Sequence, residues 1–420
     1  MMLLIILVCC LCGASGKTGF GPTDQDWGFE EIRNGSYLFW WLHYTTATAN
    51  YLERPLIIWL QGGPGGSSTG YGNFIEIGPW DQNLEVRNTS WVNYANILFV
   101  DNPVGTGFSY TDTYEYATTN EQVAEDFVEF LKGFYNRLPK FEDVPLYIFC
   151  ESYGGKMTVE IALKLSQEIK AAGIRSNFKG VGLGDSWISP LDSVLSWAPY
   201  LYNLGFVDTQ GYNYLTDYSQ NVKNAIELED WGEATNSYQI YQTLIESFTL
   251  GVDFYNVLTK VEAYAVKRPV NVKVTDPGPS ITELMNGPVK EALNISGDWG
   301  IYSSLVFYSL QEDFMKPVTD VLEQLLNETD IKVGIYNGQL DLIVPTPGTI
   351  NWMDKLNFKD AESWKNSISY GLVEDEIYEG IQRDAGNLSF FWVFRSGHMV
   401  PSDNPKAMYH ILKEITNNFT

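Results

Sequence analysis

The chain has 420 residues, 45% of them apolar, enough to bury one large core or two smaller ones. Its formal net charge of −25 argues against nucleic acid and anionic membrane as partners, and suits either work at acidic pH or plain solubility. Three of its four cysteines (Cys9, Cys10, Cys12) crowd the amino terminus, leaving Cys150 no disulfide partner once that stretch is removed, so stability must come from packing.

The first element, MMLLIILVCCLCGASG at residues 1–16, is an uncharged apolar run closed by small residues. It reads as a cleaved signal peptide, too short for a membrane span, and no later stretch is apolar enough to cross a bilayer. Residues 17–420 are then expected in the secreted space or a lysosomal or vacuolar lumen. Six Asn-x-Ser/Thr acceptor sites, at Asn34, Asn88, Asn294, Asn327, Asn387 and Asn418, agree with that route.

The aromatic run SYLFWWLHY (36–44) reads as part of an antiparallel edge. PLIIWLQ (55–61), NILFVDNP (96–103), PLYIFC (145–150), FKGVGLGD (178–185), IKVGIYNG (331–338) and LSFFWVF (388–394) read as core strands. Alternating with helical patterns, they predict an α/β fold with a mixed, mostly parallel central sheet flanked by helices. After PLYIFC, the stretch MTVEIALKLSQEIKAAG places Ile161, Leu165 and Ile169 on one face, with Gly173 as a stop. Ser152 in FCESYGGK therefore lies on a sharp turn between a buried strand and an amphipathic helix. Residues from about 192 to 300, rich in Tyr, Asn and Asp and poor in β runs, read as a helical cap insertion on the sheet domain.

A serine hydroxyl is a poor nucleophile without an adjacent base, and the base needs an orienting partner. The chain has three histidines. His43 lies in the aromatic strand and His410 in a carboxyl-terminal helix, both read as structural. His398, in RSGHMVPSDNP just past the last core strand, stands where an α/β sheet places functional side chains. Two strand-end aspartates qualify as the third member, Asp185 and Asp341, and spacing alone leaves both open. The glycine-rich loop in WLQGGPGGSSTGYGNFIEIGP (59–79) offers bare backbone amides for a developing oxyanion. It lacks the Lys-Ser/Thr of a P-loop and the spacing of a dinucleotide fingerprint, and nothing in the chain asks for a cofactor or a metal.

Taken together, WLQGGPGGSS, DNPVGTGFSY, ESYGGK, GDSWISP, YNGQLDLIV and GHMVPSDNP resemble, in order, the blocks of the serine carboxypeptidases, an α/β-hydrolase family. The resemblance runs from about residue 30 to 412. It implies Ser152 as nucleophile, His398 as general base and then acid, and Asp341 as the residue holding the imidazole. It further implies an oxyanion hole from the N–H groups of Gly63 and Tyr153. Gln61, the N–H of Gly62 and Glu151 would hold a peptide's free carboxylate, with Glu76 paired to Glu151. The chain departs from the family at Gln61, where most members have Asn, at Gly66, where most have Cys, and in lacking disulfides. The residue two before the nucleophile, usually glycine in this turn, is Cys150, expected to face the core. The implied activity is removal of carboxyl-terminal residues from peptides or proteins, favoured at acidic pH. An esterase or acyltransferase on the same scaffold, or a weakly active binding homologue, is the competing reading.

Overall fold

The computed structural model describes residues 19–259 and 280–417; the expected signal segment, Asn418 and part of the expected cap lie outside them. The amino-terminal hairpin pairs β1 (Gln25–Arg33) with β2 (Ser36–His43) through an Asn34-Gly35 turn, the Gly35 φ of +72° being one that glycine adopts without strain. There follow β3 (Leu56–Leu60), β4 (Asn96–Val100), a two-residue β5 (Tyr110–Thr111), β6 (Leu146–Glu151), β7 (Phe178–Gly184), β8 (Lys332–Gly338), β9 (Tyr370–Glu374), β10 (Ile377–Ala385) and β11 (Leu388–Val393). The sheet runs β1-β2-β4-β3-β6-β7-β8-β11-β10-β9, with β5 against β2. From β4 to β11 every pair is parallel, and both flanks are antiparallel.

The six expected core strands are all present. They read as unbroken apolar runs because both faces are covered. Ile58, Leu60, Ile148 and Cys150 face the cluster that includes α1 (Asn120–Arg137) and α2 (Tyr153–Lys170). Ile57, Trp59, Tyr147 and Phe149 face the opposite cluster, with the helix Pro405–Ile415. The aromatic run forms β2 within the antiparallel edge, as expected, with β1 as the outermost strand. Leu38, Phe39, Trp40 and Trp41 are fully buried, and β1 covers them from outside. Glu30 and Gln25 of β1 accept the indole hydrogen bonds of Trp40 and Trp41, both at 2.9 Å.

Between β7 and β8 the described chain forms helices, among them α3 (Pro190–Asn203), α4 (Thr209–Glu227) and α5 (Trp231–Thr249), and no strand. No helix among the described residues is long and apolar enough to cross a membrane. The chain leaves β3 toward β4 on one side, while β6, β7 and β8 extend the sheet on the other. Such a switch point opens a crevice at the carboxyl ends of β3 and β6, where an open α/β sheet binds ligands.

Candidate active site

Ser152 is the turn residue between β6 and α2, with φ of 62° and ψ of −129°. That backbone is strained for a residue with a Cβ and persists only if its surroundings hold it. Here they do: Ser152 N–H donates to the Gly184 carbonyl (3.0 Å), and the Ser152 carbonyl accepts from Gly155 (3.0 Å) and Trp187 (2.9 Å). The turn is tight enough that a Cβ at Gly154 would stand 2.5 Å from the Leu60 carbonyl oxygen. Cys150 is tolerated because its side chain packs inward, the buried sulfur donating to the Gly182 carbonyl at 3.4 Å. Burial pushes this thiol up to about 12, which leaves it inert. Tyr153 opens α2, so its N–H has no intrahelical acceptor and remains free for other duty.

His398 follows β11 and is buried, with Nδ1 2.7 Å from Asp341 Oδ2. Its N–H donates to the Tyr255 carbonyl at 2.6 Å, and the Tyr255 ring lies edge-on to the imidazole with centroids 5.2 Å apart. Asp341 Oδ1 accepts from Val344 N–H at 3.2 Å, fixing the carboxylate from behind. The second imidazole nitrogen, Nε2, is buried without a hydrogen-bond partner, and Ser152 and His398 line the same cavity. Of the two aspartates left open by spacing, Asp341 therefore holds the imidazole. Asp185 stands beside it: one donor atom from each of Asp185, Asp341 and His398 lies within 4.8 Å of the others. Neither of the other two histidines lines that cavity. His43 sits between Thr23 Oγ1 (2.9 Å) and Asn73 Nδ2 (3.3 Å), its pKa lowered by burial to about 3. His410 contacts Glu374 at 2.7 Å on the carboxyl-terminal helix.

The glycine-rich loop lies directly on the turn. A Cβ at Gly62 would stand 2.6 Å from the Ser152 Cβ and 2.8 Å from the Tyr153 nitrogen. Behind it, Gln61 Oε1 accepts from the Trp59 indole (2.8 Å) and Gln61 Nε2 donates to Glu151 Oε1 (2.9 Å). Glu76 belongs to a π-helical segment, Ser68–Ile77, whose start is capped by Ser67. Glu151 Oε2 and both Glu76 oxygens are buried with no donor within hydrogen-bond distance. Burial raises Glu76 to about 7, while burial and then the Glu76 charge hold Glu151 well above the usual carboxylate range. Two buried carboxyls side by side cannot both ionise, so the pair keeps at least one proton through the acidic range.

Ser152, His398, Gln61, Gly62, Gly63, Glu151 and Tyr153 line one cavity of about 530 Å³, with Asp341 behind His398 and Glu76 behind Glu151. Sequence reasoning missed several contributors. Tyr238, Gln239 and Gln242 on α5, and Asp253 and Tyr255 after it, form the far wall; only their place within the expected cap hinted at this. Arg87 clamps the end of the Glu76 segment, donating to the carbonyls of Asn73, Phe74, Gly78 and Trp80. Asp101 organises its start, accepting from Ser67 Oγ and from both Thr69 N–H and Thr69 Oγ1. Asp101 was visible as the first residue of a family-like block, without a role.

Among the sequon asparagines, Asn34, Asn88, Asn294 and Asn327 are exposed; the Asn327 amide nitrogen donates to the Asn357 carbonyl at 3.3 Å, and that of the half-buried Asn387 to the Ile331 carbonyl at 3.0 Å. The family described as "Serine carboxypeptidase" matches residues 17–418. Retinoid-inducible serine carboxypeptidase of Rattus norvegicus is 42% identical over 441 residues, covering 99% of this chain and 97% of that protein. The Homo sapiens protein of the same name is 41% identical over 422 residues, covering 94% and 92%. Among solved structures, a prohormone-processing carboxypeptidase of Saccharomyces cerevisiae, Kex1(delta)p, shares the fold with a TM-score of 0.81, at 24% identity over 94% of this chain and 91% of that one.

Proposed function

The chain belongs to the serine carboxypeptidase family and is a serine-type carboxypeptidase, and from that premise we propose that Ser152, His398 and Asp341 carry its chemistry. The supporting observation is the buried Asp341–His398 contact of 2.7 Å, with Nε2 unpaired in the cavity whose wall Ser152 forms.

A peptide enters with its free terminus toward Glu151, whose neutral carboxyl donates to the substrate carboxylate beside Gln61 and the Gly62 N–H. Ser152 Oγ attacks the last peptide carbonyl while His398 Nε2 accepts the hydroxyl proton. Asp341 keeps Nδ1 protonated and stabilises the imidazolium. The N–H groups of Gly63 and Tyr153 receive the oxyanion, a contribution worth about 2.7–4 kcal/mol per donor in comparable sites. Collapse breaks the C–N bond and His398 gives its proton to the departing amino acid. Water repeats the sequence on the acyl-enzyme, with His398 again as base, and releases the shortened peptide. Helices from the insertion between β7 and β8 form the far wall and serve as the cap. A secretory route, with glycans on the exposed Asn34, Asn88, Asn294 and Asn327, accords with the acceptor motifs.

The test uses two peptides that differ only in a free or amidated carboxyl terminus. Strong preference for the free acid, lost together with all turnover in Ser152→Ala, is expected, the latter by at least about 10⁴-fold. Equal cleavage of both peptides favours the esterase or acyltransferase reading, and activity surviving in the alanine variant refutes the nucleophile assignment.

A further inference from the structure

The mechanism above leaves Asp185 unused. We propose that Asp185 is a positioning residue for the triad, standing behind Asp341 as a neutral carboxyl that donates a hydrogen bond to the Asp341 carboxylate. This rests on the Ser152–His398–Asp341 reading and extends it by one member.

The geometry follows from the sheet. β7 and β8 are parallel neighbours, with Gly184 opposite Tyr336, so residues just past their carboxyl ends sit side by side. Asp185 N–H donates to the Tyr336 carbonyl at 2.8 Å, holding Asp185 at a φ of +40°. Its carboxyl is fully buried. Oδ1 accepts from Gly338 N–H (2.7 Å) and from Asn337 Nδ2 (2.9 Å). The Asn337 orientation is itself set, since its Oδ1 accepts from Thr349 and its Nδ2 also donates to the Val344 carbonyl. With both donors on Oδ1, Oδ2 is left buried without a donor, and a carboxylate oxygen of Asp341 lies within 4.8 Å of the Asp185 carboxyl.

The charge balance decides which group holds the proton. The titratable groups facing Asp185 are Asp341 and His398 from the loops after β8 and β11, Asp403 from the short helix Val400–Asp403, Glu151 at the end of β6, and Tyr336 within β8. None of these is a permanent cation. Two adjoining carboxylates there cannot both be charged. Asp341 has the imidazole as its hydrogen-bond partner, so the shared proton falls to Asp185 Oδ2. Burial first, and the Asp341 charge second, hold Asp185 well above the ordinary carboxylate range.

The donated hydrogen bond orients the Asp341 carboxylate and draws charge from it. The imidazolium formed on His398 during turnover is then held less tightly and passes its proton on more readily. The acid limb of kcat/KM against a free-acid peptide reads this directly, because the Glu76–Glu151 pair titrates on the alkaline side.

Asp185→Asn keeps an acceptor for Gly338, a donor for Asp341 and the same net charge; its acid limb is expected within about 0.5 pH unit of wild type, with kcat/KM within about threefold. Asp185→Ala removes the donor; its limb is expected to move up by more than about 0.5 unit, with the plateau of kcat/KM falling roughly tenfold. If Asp185 is instead ionised, the asparagine variant loses a buried negative charge and its limb moves down by about a unit. A limb displaced beyond about 0.5 unit in Asp185→Asn overturns the proposal, as does an Asp185→Ala limb that coincides with wild type. Should the alanine variant fail to fold, the asparagine profile decides alone. Labelling of Ser152 by a serine-directed fluorophosphonate counts intact sites, so failure of the triad reading itself, seen as activity in Ser152→Ala, stays distinguishable.

Discussion

Glu151 ends β6 one residue before the nucleophile, and its carboxyl meets Glu76 from the loop after β3 and the amide of Gln61. In the proposed mechanism a substrate carboxylate adds a third acid to this group, which is tolerable only while a proton remains to be shared. Glu76 is raised to about 7 and Glu151 well above the usual carboxylate range, both first by burial, so the pair holds its protons at acidic pH and loses them as pH rises past neutral. KM for free-acid peptides is therefore expected to climb above about pH 7 while kcat changes less. Glu151→Gln keeps a donor but cannot ionise, and its KM should stay level across the same range. Glu151→Ala loses the contact altogether, costing about 1.5–3 kcal/mol, or roughly 10–100-fold in KM. Steady-state kinetics from pH 5 to 8 on wild type and both variants decide this, and a wild-type KM that does not vary with pH removes the pair from terminus binding.

At the scale of elements, catalysis depends on how closely the loop after β3 lies on the turn after β6. The contact is backbone against backbone, so it cannot relax by rotating a side chain. Gly62→Ala would place its Cβ 2.6 Å from Ser152 Cβ and 2.8 Å from the Glu151 carbonyl oxygen, forcing the loop amides off the turn. Activity is expected to fall at least about 100-fold, the loss typical of one oxyanion donor, with an unchanged far-UV circular dichroism spectrum. Near-normal turnover in that variant would show that loop and turn need not touch. The same scale explains what could be read in advance. The parallel centre was legible because strands covered on both faces are runs of apolar residues, as in LIIWL and NILFV. β1, β9 and β10 were not, because QDWGFEEIR, YGLVE and IYEGIQRDA mix acids with apolar residues and lie at the sheet's flanks. Asp185 and Asp341 resisted separation for a related reason. They are 156 positions apart in the chain, yet β7 and β8 are neighbours, so both carboxyls reach one place and both strand-end signals were sound. The far wall of the cavity was the least legible part, because Tyr238, Gln239 and Asp253 follow no catalytic spacing and matter only through where α5 packs.

For the whole molecule, the acids that make the site titratable also set where the fold is most stable. Glu76 and Glu160 are raised from 4.5 to about 7, Asp126 from 3.8 to about 6, and Glu151 and Asp185 lie well above their ordinary values, in each case mainly by burial. A carboxyl with a folded-state pKa above its unfolded one binds more protons when folded. Its stabilisation is complete below the unfolded value and is lost as pH rises through the folded value, here between about 4 and 7 and beyond. His43 acts in the opposite direction: lowered from 6.5 to about 3, it stabilises fully above 6.5 and loses its contribution as pH falls toward 3. Lys156, buried against Asp313 and lowered to about 8, changes its proton count only on the alkaline side. Five carboxyls outweigh one imidazole, and the net charge of −25 at pH 7 adds self-repulsion that acidification relieves. Stability should thus peak in mildly acidic solution, with a melting temperature at pH 5.5 higher than at pH 8 by on the order of 5 °C. Differential scanning calorimetry across that range checks it, and Glu76→Gln should flatten part of the slope. A melting temperature that is level, or that is highest at pH 8, would mean that these carboxyls ionise within the fold without penalty, contradicting the protonated pair on which terminus binding depends.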